Sequence, residues 1–167
     1  MEELTLLGER AVQAKYELQR MTTEKKNEVL EAVAEALIQN TEYLLLENHK
    51  DLERGIANQM NPGLVDRLRL TKERIAGMAE GIRQIVKLPD PVGEILDDYE
   101  AENGLHIVKK RVPMGVIGII YESRPNVTAD AFGLCFKSGS AVILKGGSDG
   151  LIWRLQKLFR MQWSEGE

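Results

Sequence analysis

The second half of the chain contains two short apolar segments separated by a segment with helical spacing. GVIGII, residues 115–120, and SAVIL, residues 140–144, are rich in β-branched residues and typical of strands buried on both faces of a sheet. TADAFGLCFKSG, residues 128–139, has apolar residues at helical spacing and a glycine placed to end the helix. A strand, a helix and a strand in this order predict a βαβ unit with parallel strands. The predicted fold class is therefore α/β.

The first half of the chain is predicted to be helical. The segment that follows Thr71 repeats apolar residues at i, i+3 and i+4; Thr71 is a suitable N-cap, and Pro89 is placed to stop the helix. A second amphipathic helix is predicted after Thr22. Its charged residues, including Lys26, are expected to lie on its solvated face. Further helices are predicted within residues 3–21, 41–55 and 61–70.

The segment LHIVKKRVP, residues 105–113, has the alternation of a strand. His106, Val108 and Lys110 fall on one side, whereas the intervening residues fall on the other. Because neither side is wholly apolar, an exposed antiparallel strand is expected rather than a core strand.

Composition narrows the class of function. The chain has 167 residues and a formal net charge of -4, so it has no general electrostatic attraction to nucleic acid or to an anionic membrane. No apolar run is long enough for a membrane helix, and the acidic N-terminus does not resemble a secretory signal. The single cysteine, Cys135, agrees with a reducing compartment. We therefore expect a cytoplasmic protein without nucleic-acid or membrane partners.

Polar segments follow both predicted strands of the βαβ unit. YESRPN, residues 121–126, comes after the first strand, and KGGSDG, residues 145–150, comes after the second. In a doubly wound sheet, ligands bind outside the carboxyl ends of the strands. If the strands are neighbours, a ribose, a phosphate or a reacting carbonyl would lie across both loops.

The glycine-containing loop allows two interpretations. Gly146 and Gly147 permit close approach of a ligand, Lys145 is suited to a phosphate or a ribose hydroxyl, and Ser148 is suited to capping a helix. Taken alone, the same residues favour the second interpretation, a strand-to-helix turn that needs glycine. The loop is neither GxGxxG nor GxxxxGKS, so neither nucleotide-binding motif applies.

Asn126 and Cys135 are the side chains whose chemistry the sequence leaves open. The amide of Asn126, just after a strand, is suited either to donating to an oxyanion or to capping the next helix. Cys135 is a nucleophile by residue type, but it lies mid-helix without a His or Lys at helical spacing, which favours a structural role. The two histidines, His49 and His106, are expected at the surface and lack metal-ligand spacing, so no metal site is predicted.

Residues 111–149, RVPMGVIGIIYESRPNVTADAFGLCFKSGSAVILKGGSD, resemble γ-glutamyl phosphate reductase, also called glutamate-5-semialdehyde dehydrogenase, of the aldehyde dehydrogenase superfamily. Residues 66–95, DRLRLTKERIAGMAEGIRQIVKLPDPVGEI, are similar to the same family. The likeness covers residues 1–149 and implies a helical layer followed by the first βαβ unit of a doubly wound, Rossmann-like cofactor domain. In that family a strand near residues 100–113 forms an arm through which subunits pair, which implies a homo-oligomer.

The resemblance implies NADPH-dependent reduction of L-glutamyl 5-phosphate to L-glutamate 5-semialdehyde, with release of phosphate, in proline biosynthesis. Asn126 matches the asparagine that donates to the oxyanion, Lys145 matches the lysine at the adenosine ribose, and Ser148 lies near the 2′ position. A serine there, close to a lysine, suits NADP. The implied cofactor-binding residues are Ser123, Arg124, Pro125, Lys145, Gly146, Gly147 and Ser148.

The sequence also departs from the family. The family's nucleophilic cysteine lies in a later catalytic domain, and Cys135 matches a position in the cofactor-domain helix instead. Residues 150–167, GLIWRLQKLFRMQWSEGE, are unlike the family's continuation, and a shifted reading frame can encode a family-like helix there. We therefore expect a truncated or frameshifted product that is poorly stable and inactive alone; the underlying DNA sequence tests this.

The sequence is also compatible with two other kinds of function. The chain could serve as a noncatalytic assembly module that pairs with other subunits through the arm strand. Alternatively, it could be a stand-alone nucleotide-binding domain that depends on the KGGSD loop, residues 145–149. Half of a cofactor pocket is expected to bind NADPH weakly.

Overall fold

The computed structural model describes residues 2–122 and 124–146, and these form a layer of helices followed by four short strands and one further helix. The predicted helices are present, with ends close to those expected from the sequence. The helices are α1 (Glu2–Arg20), α2 (Thr23–Gln39), α3 (Thr41–Ala57), α4 (Pro62–Leu68), α5 (Lys72–Lys87) and α6 (Pro125–Lys137). The strands are β1 (Ile95–Glu100), β2 (His106–Lys110), β3 (Val116–Ile120) and β4 (Ala141–Lys145).

The N-cap of α5 is the one expected from the sequence, and α2 begins with a threonine cap of the same kind. The hydroxyl of Thr22 accepts a hydrogen bond from the Lys25 N–H, and that of Thr71 accepts one from the Arg74 N–H. Each bond satisfies one of the backbone donors that a helix leaves free in its first turn.

The hydrophobic core lies between α2, α5 and α6. Leu30 from α2, Ile82 from α5 and Phe136 from α6 are almost fully buried there. The close approach of α5 to α6 leaves no space for a side chain at Gly133 unless Ile85 moves, since an added Cβ atom would lie 2.8 Å from the Cδ1 atom of Ile85. The helical layer and the βαβ unit therefore share one core.

The βαβ unit predicted from the sequence is present. β3 and β4 are parallel neighbours, with Val116 opposite Ala141 and Ile120 opposite Lys145. After α6, Gly139 adopts a φ of +70°, and its N–H bonds back to the Phe136 carbonyl. This left-handed residue ends α6 as expected and turns the chain into β4.

The expectation that β3 and β4 are buried on both faces was wrong, because both strands are only partly buried. Ile120 is 87% exposed, alternate residues of β3 are only half-buried, and β4 is fully buried only at Ala141. Within the described residues β3 pairs with a strand on one side only, and α1 and α6 pack more extensively on β4 than on β3. Apolar strands therefore retain open surface.

The exposed strand near residues 100–113 belongs to a hairpin. β2 pairs antiparallel with β1, and every residue of both strands is exposed. β1 was not predicted, because ILDDYE lacks the alternation of a strand. Its acidic residues lie beside a basic partner, as in the pairing of Asp97 with Lys109, and such cross-strand charge pairs favour this partner.

Lys26 does not lie on a solvated face as the sequence suggested. Its side chain is 1% exposed, and its ammonium group donates to Asp90 Oδ2 at 2.6 Å and to the Lys137 carbonyl at 3.3 Å. The helical spacing that relates Lys26 to Val29 and Leu30 places all three on the buried face of α2. The charge is accommodated because a carboxylate and a carbonyl meet it.

Candidate functional site

The carboxyl ends of β3 and β4 lie side by side, as expected from the sequence. Ile120 and Lys145 are the last residues of the two strands and stand opposite each other. The pairing continues into the first loop, since the Tyr121 N–H donates to the Lys145 carbonyl at 3.1 Å. Tyr121, which follows β3, and Gly146, which follows β4, therefore leave the sheet at the same edge, and a ligand at this edge meets both.

The loop between β3 and α6 is held by short-range hydrogen bonds. The Tyr121 hydroxyl and the Thr128 hydroxyl lie 2.7 Å apart, which ties the strand end to the first turns of the helix. The Arg124 N–H donates to the Glu122 carbonyl at 2.7 Å. Arg124 is the N-cap residue, but its side chain makes no capping bond. The start of α6 is thus positioned by its neighbours while its first backbone N–H groups receive no side-chain cap.

Asn126 lies inside α6 rather than in front of it. The helix begins at Pro125, three residues before the segment predicted from apolar spacing. Proline suits the first helical position because its φ angle is preset and its missing N–H would be free there anyway. The alternative that Asn126 caps the helix is wrong, since Arg124 occupies that position, and the exposed amide is not used in capping.

The predicted cofactor-binding residues are only partly described. Arg124 and Lys145 are exposed. Pro125 is buried as the first residue of α6, and Gly146 is half-buried directly after β4. Ser123, Gly147 and Ser148 lie outside the described residues, as does the tail predicted for residues 150–167. The geometry therefore brings Arg124, Pro125 and Asn126 to the same sheet edge as Lys145 and Gly146.

A cleft of about 520 Å³ opens beside Asn126, between the start of α6 and the connection from α4 to α5. Its lining is rich in arginine, and sequence reasoning missed it because its two sides are far apart along the chain. The charged lining residues are Asp66, Arg67, Arg69, Arg74, Arg124 and Asp130. Four guanidinium groups against two carboxylates make this a predominantly positive cleft.

Cys135 is buried in α6, as its sequence context favoured. Its residue is 7% exposed, and burial raises the pKa of its thiol. A thiol with a raised pKa is rarely ionised near neutral pH, and the thiolate is the nucleophilic form. Cys135 is therefore a packing residue.

Neither a metal centre nor a membrane span is present in the described part of the chain. Among residues 2–122 and 124–146, no group of three or more His, Cys, Asp or Glu side chains is arranged to hold a metal ion. Within the same residues, no helix combines the length and the apolar character needed to cross a bilayer. His49 and His106 are both at the surface, where they lie beside Glu53 and Asp98 respectively.

Solved structures of a known class of proteins have the same fold as this chain. The chain superposes on a probable aldehyde dehydrogenase from Listeria monocytogenes with a TM-score of 0.73 at 15% identity, covering 99% of this chain and 34% of that one. At this identity the match shows the fold alone. The architecture of helical layer, hairpin and βαβ unit is therefore of the aldehyde dehydrogenase type.

The particular relatives are γ-glutamyl phosphate reductases. The crystal structure of the enzyme from Thermotoga maritima matches with a TM-score of 0.90 and 38% identity, covering 94% of this chain and 38% of that chain. The γ-glutamyl phosphate reductase of Clostridium botulinum (strain Eklund 17B / Type B) is 51% identical over 151 residues, which is 90% of this chain and 36% of the relative. A comparison with family models gave no match.

These matches confirm the family resemblance seen in the sequence. The chain is similar over nearly its whole length to the N-terminal part of γ-glutamyl phosphate reductases. It spans about a third of the length of the curated relatives that it matches, 36% in the case of the Clostridium botulinum protein.

Proposed function

We propose that this chain supplies the cofactor side of the active site of a γ-glutamyl phosphate reductase. The reaction is the NADPH-dependent reduction of L-glutamyl 5-phosphate to L-glutamate 5-semialdehyde, with release of phosphate, as a step of proline biosynthesis in the cytoplasm. The observation that carries the proposal is the register of β3 and β4, which brings the Asn126 segment and Lys145 to one sheet edge. The 51% identity to a reductase of this name supports it.

Lys145 and the residues around it are suited to hold NADP, which supplies the hydride when bound. Lys145 is exposed at the end of β4, so its ammonium group is accessible to a ribose hydroxyl or a phosphate. Gly146 follows it without a side chain, which lets a ligand approach the backbone. In the proposal Ser123, Arg124, Pro125, Gly147 and Ser148 complete this surface.

Asn126 is proposed as the oxyanion donor. Its amide lies at an exposed position in the first turn of α6, and Pro125 anchors that turn in the protein. A side-chain N–H held at a helix start can donate to the oxygen on which negative charge develops when a thiolate attacks the acyl carbon. Removal of one such donor typically lowers the rate by about two to three orders of magnitude.

The nucleophile must come from outside the described segment, because the only cysteine, Cys135, is buried in α6. We therefore expect the isolated chain to have no reductase activity. A chimera tests the site: residues 2–146 of this chain replace the matching part of the Thermotoga maritima enzyme, and NADP reduction is followed with glutamate 5-semialdehyde and phosphate.

The chimera is expected to turn over, and Asn126→Ala is expected to lower kcat about a hundredfold. The control is Asn103→Ala, which removes an amide in the turn between β1 and β2. An inactive but folded chimera would contradict the proposed function. An Asn126→Ala chimera with undiminished kcat would contradict the role of the amide alone.

A second candidate is a noncatalytic assembly module. The hairpin of β1 and β2 is exposed throughout and carries Tyr99, Ile107 and Val108 at its surface. We propose that this hairpin pairs with other subunits, either in a homo-oligomer or with a full-length reductase. Sedimentation of the chain with and without an intact family member tests it. A mixture that sediments as the two separate species would contradict pairing.

A further inference from the structure

We propose that the arginine-lined cleft beside Asn126 binds the α-amino acid head group of the substrate, with Arg69 at its carboxylate and Asp130 at its ammonium. This inference rests on the proposed function and names a specificity site for it. The acyl phosphate reacts at Asn126, and the cleft would bind the other end of the glutamyl chain.

Some charged residues of the cleft form ion pairs within the described chain, and others do not. Arg74 lies 3.4 Å from Asp66, and Arg67 lies 3.3 Å from Glu122, so two of the arginines already meet carboxylates. Among residues 2–122 and 124–146, no carboxylate forms an ion pair with Arg69 or Arg124. Both residues line the cleft, and since the proposed function assigns Arg124 to the cofactor, Arg69 is the arginine available to the head group. A planar fork of N–H donors is the group best matched to a carboxylate.

The backbone on both sides of Arg69 is fixed by hydrogen bonds to a buried side chain. Its flanking residues Leu68 and Leu70 are buried, and the side-chain amide of Asn48 bonds to both of them. Asn48 Nδ2 donates to the Leu68 carbonyl at 2.8 Å, and the Leu70 N–H donates to Asn48 Oδ1 at 2.7 Å. Since Asn48 is only 1% exposed, water does not compete strongly for these bonds.

The carbonyl of Arg69 is fixed as well. Arg74 Nη1 donates to it at 2.6 Å and to the Asp66 carbonyl at the same distance. Arg74 is therefore a positioning residue for the connection between α4 and α5. With its N-terminal and C-terminal neighbours bonded and its own carbonyl held, Arg69 presents its side chain from a fixed point.

Asp130 supplies the negative charge that the ammonium of the head group requires. It lies one helical turn after Asn126, on the same face of α6, at a rise of about 6 Å. In an extended glutamyl chain three carbon–carbon bonds and one carbon–nitrogen bond separate the reacting carbon from the α-nitrogen, a comparable reach. No cation among residues 2–122 and 124–146 forms an ion pair with Asp130. An ammonium at this position would meet a carboxylate that lines the cleft and forms no ion pair with a described residue.

Binding to the 167-residue chain tests this without any turnover. The probes are L-glutamine, which keeps the α-amino acid head group and has a neutral acyl end; glutaramate, which is the same molecule without the α-amino group; and inorganic phosphate. Titration is followed by NMR of the backbone amides. We expect L-glutamine to perturb the signals of the cleft and to bind more tightly than glutaramate. Arg69→Gln is expected to weaken L-glutamine binding about tenfold, and Asp130→Asn to remove the preference over glutaramate.

The matched control is Arg10→Gln, which removes the same charge from the exposed surface of α1. Circular dichroism confirms that each variant keeps the fold. Failure of L-glutamine to bind the folded chain would overturn the inference, as would phosphate binding that depends on Arg69 when L-glutamine binding does not. In the active chimera, Arg69→Gln should raise KM for the semialdehyde about tenfold while kcat changes little. Because the titration needs no activity, a failed reductase assay and a failed head-group site give different results.

Discussion

The ammonium group of Lys26 lies 2.6 Å from Asp90 Oδ2, and this buried contact joins α2 to the segment that follows α5. The same oxygen accepts a hydrogen bond from the Thr23 hydroxyl at 3.0 Å. Lys26 also donates to the carbonyl of Lys137 at the end of α6. One charge therefore connects three separate parts of the described chain.

Replacing Lys26 with methionine is expected to lower the free energy of unfolding by about 2–3 kcal/mol. The change removes the cation, so the Asp90 carboxylate keeps only two neutral donors, the Thr23 hydroxyl and the Val92 N–H, and the Lys137 carbonyl loses the bond from Lys26. Urea denaturation followed by circular dichroism measures the loss.

Lys25→Met is the control, because Lys25 is exposed and its contact to Glu28 is a surface ion pair. The double variant Lys26→Met with Asp90→Leu should recover part of the stability, since the carboxylate that lost its cation is removed as well. Equal losses for Lys25→Met and Lys26→Met would contradict the assignment of a buried pair.

Acid is expected to weaken the fold through Asp90. Partial burial favours the neutral form, but the hydrogen bonds from Lys26, the Val92 N–H and Thr23 outweigh it and hold the pKa of Asp90 below its usual 3.8. Because the folded-state pKa is the lower one, the stabilisation is fully present above about pH 4 and is lost as pH falls through the folded value. Urea midpoints between pH 3 and pH 6 measure this dependence.

Asp90→Asn should flatten that dependence without abolishing it. The pKa of Glu24 and that of Glu73 are also lowered, in each case by a bond to the residue's own backbone N–H and then by the N-cap threonine. These two carboxylates keep titrating in the variant. An identical slope in wild type and Asp90→Asn would show that Asp90 does not contribute.

Gly139→Ala is expected to destabilise the βαβ unit, whereas Gly8→Ala is expected to stabilise α1 by about 0.5–1 kcal/mol. At Gly139 the backbone has a φ of +70°, and an added Cβ would lie 3.0 Å from Pro113 Cγ and 3.2 Å from Val92 Cγ2. At Gly8 no atom lies within 4 Å of the added Cβ. Thermal unfolding of both variants gives the comparison; a shift of the same sign for the two would be inconsistent with these environments.

The thiol of Cys135 is expected to react slowly with iodoacetamide in the folded chain and rapidly in urea. Burial removes access and raises its pKa, so both the exposed fraction and the thiolate fraction are small. Mass spectrometry of the alkylated chain over time measures the two rates. Equal rates in native buffer and in urea would indicate an open, reactive cysteine and would revive it as a nucleophile candidate.

The sequence predicted the helices and the βαβ unit well because their signals are local. The spacing of apolar residues in α5, the N-cap at Thr71 and the left-handed glycine at 139 each act within a few residues of chain. The meeting of the carboxyl ends of β3 and β4 followed from one further rule, that the strands of a βαβ unit are parallel.

The features that the sequence missed depend on distant partners. β1 is a strand because a basic partner lies beside it, and Lys26 is buried because Asp90 meets it from 64 residues away. The cleft unites Arg69 with Arg124, which no local pattern connects. The apolar composition of β3 correctly indicated a strand, but its exposure depends on which neighbours pack beside it.

The two ends of α6 have opposite electrostatic environments. At its C-terminus, inside the core, the ammonium group of Lys26 reaches a terminal carbonyl, and Lys137 itself bonds to Asn27 and to the Val86 carbonyl. At its N-terminus no side chain caps the helix, and the first turn carries Asn126. The negative end of the helix dipole is thus neutralised internally, while its positive end remains directed at the sheet edge. The α6 dipole therefore contributes positive potential at the site. Lys26, which bonds at the opposite end of this 13-residue helix, some 20 Å away, helps to hold α6 in the orientation that directs its N-terminus at the sheet edge.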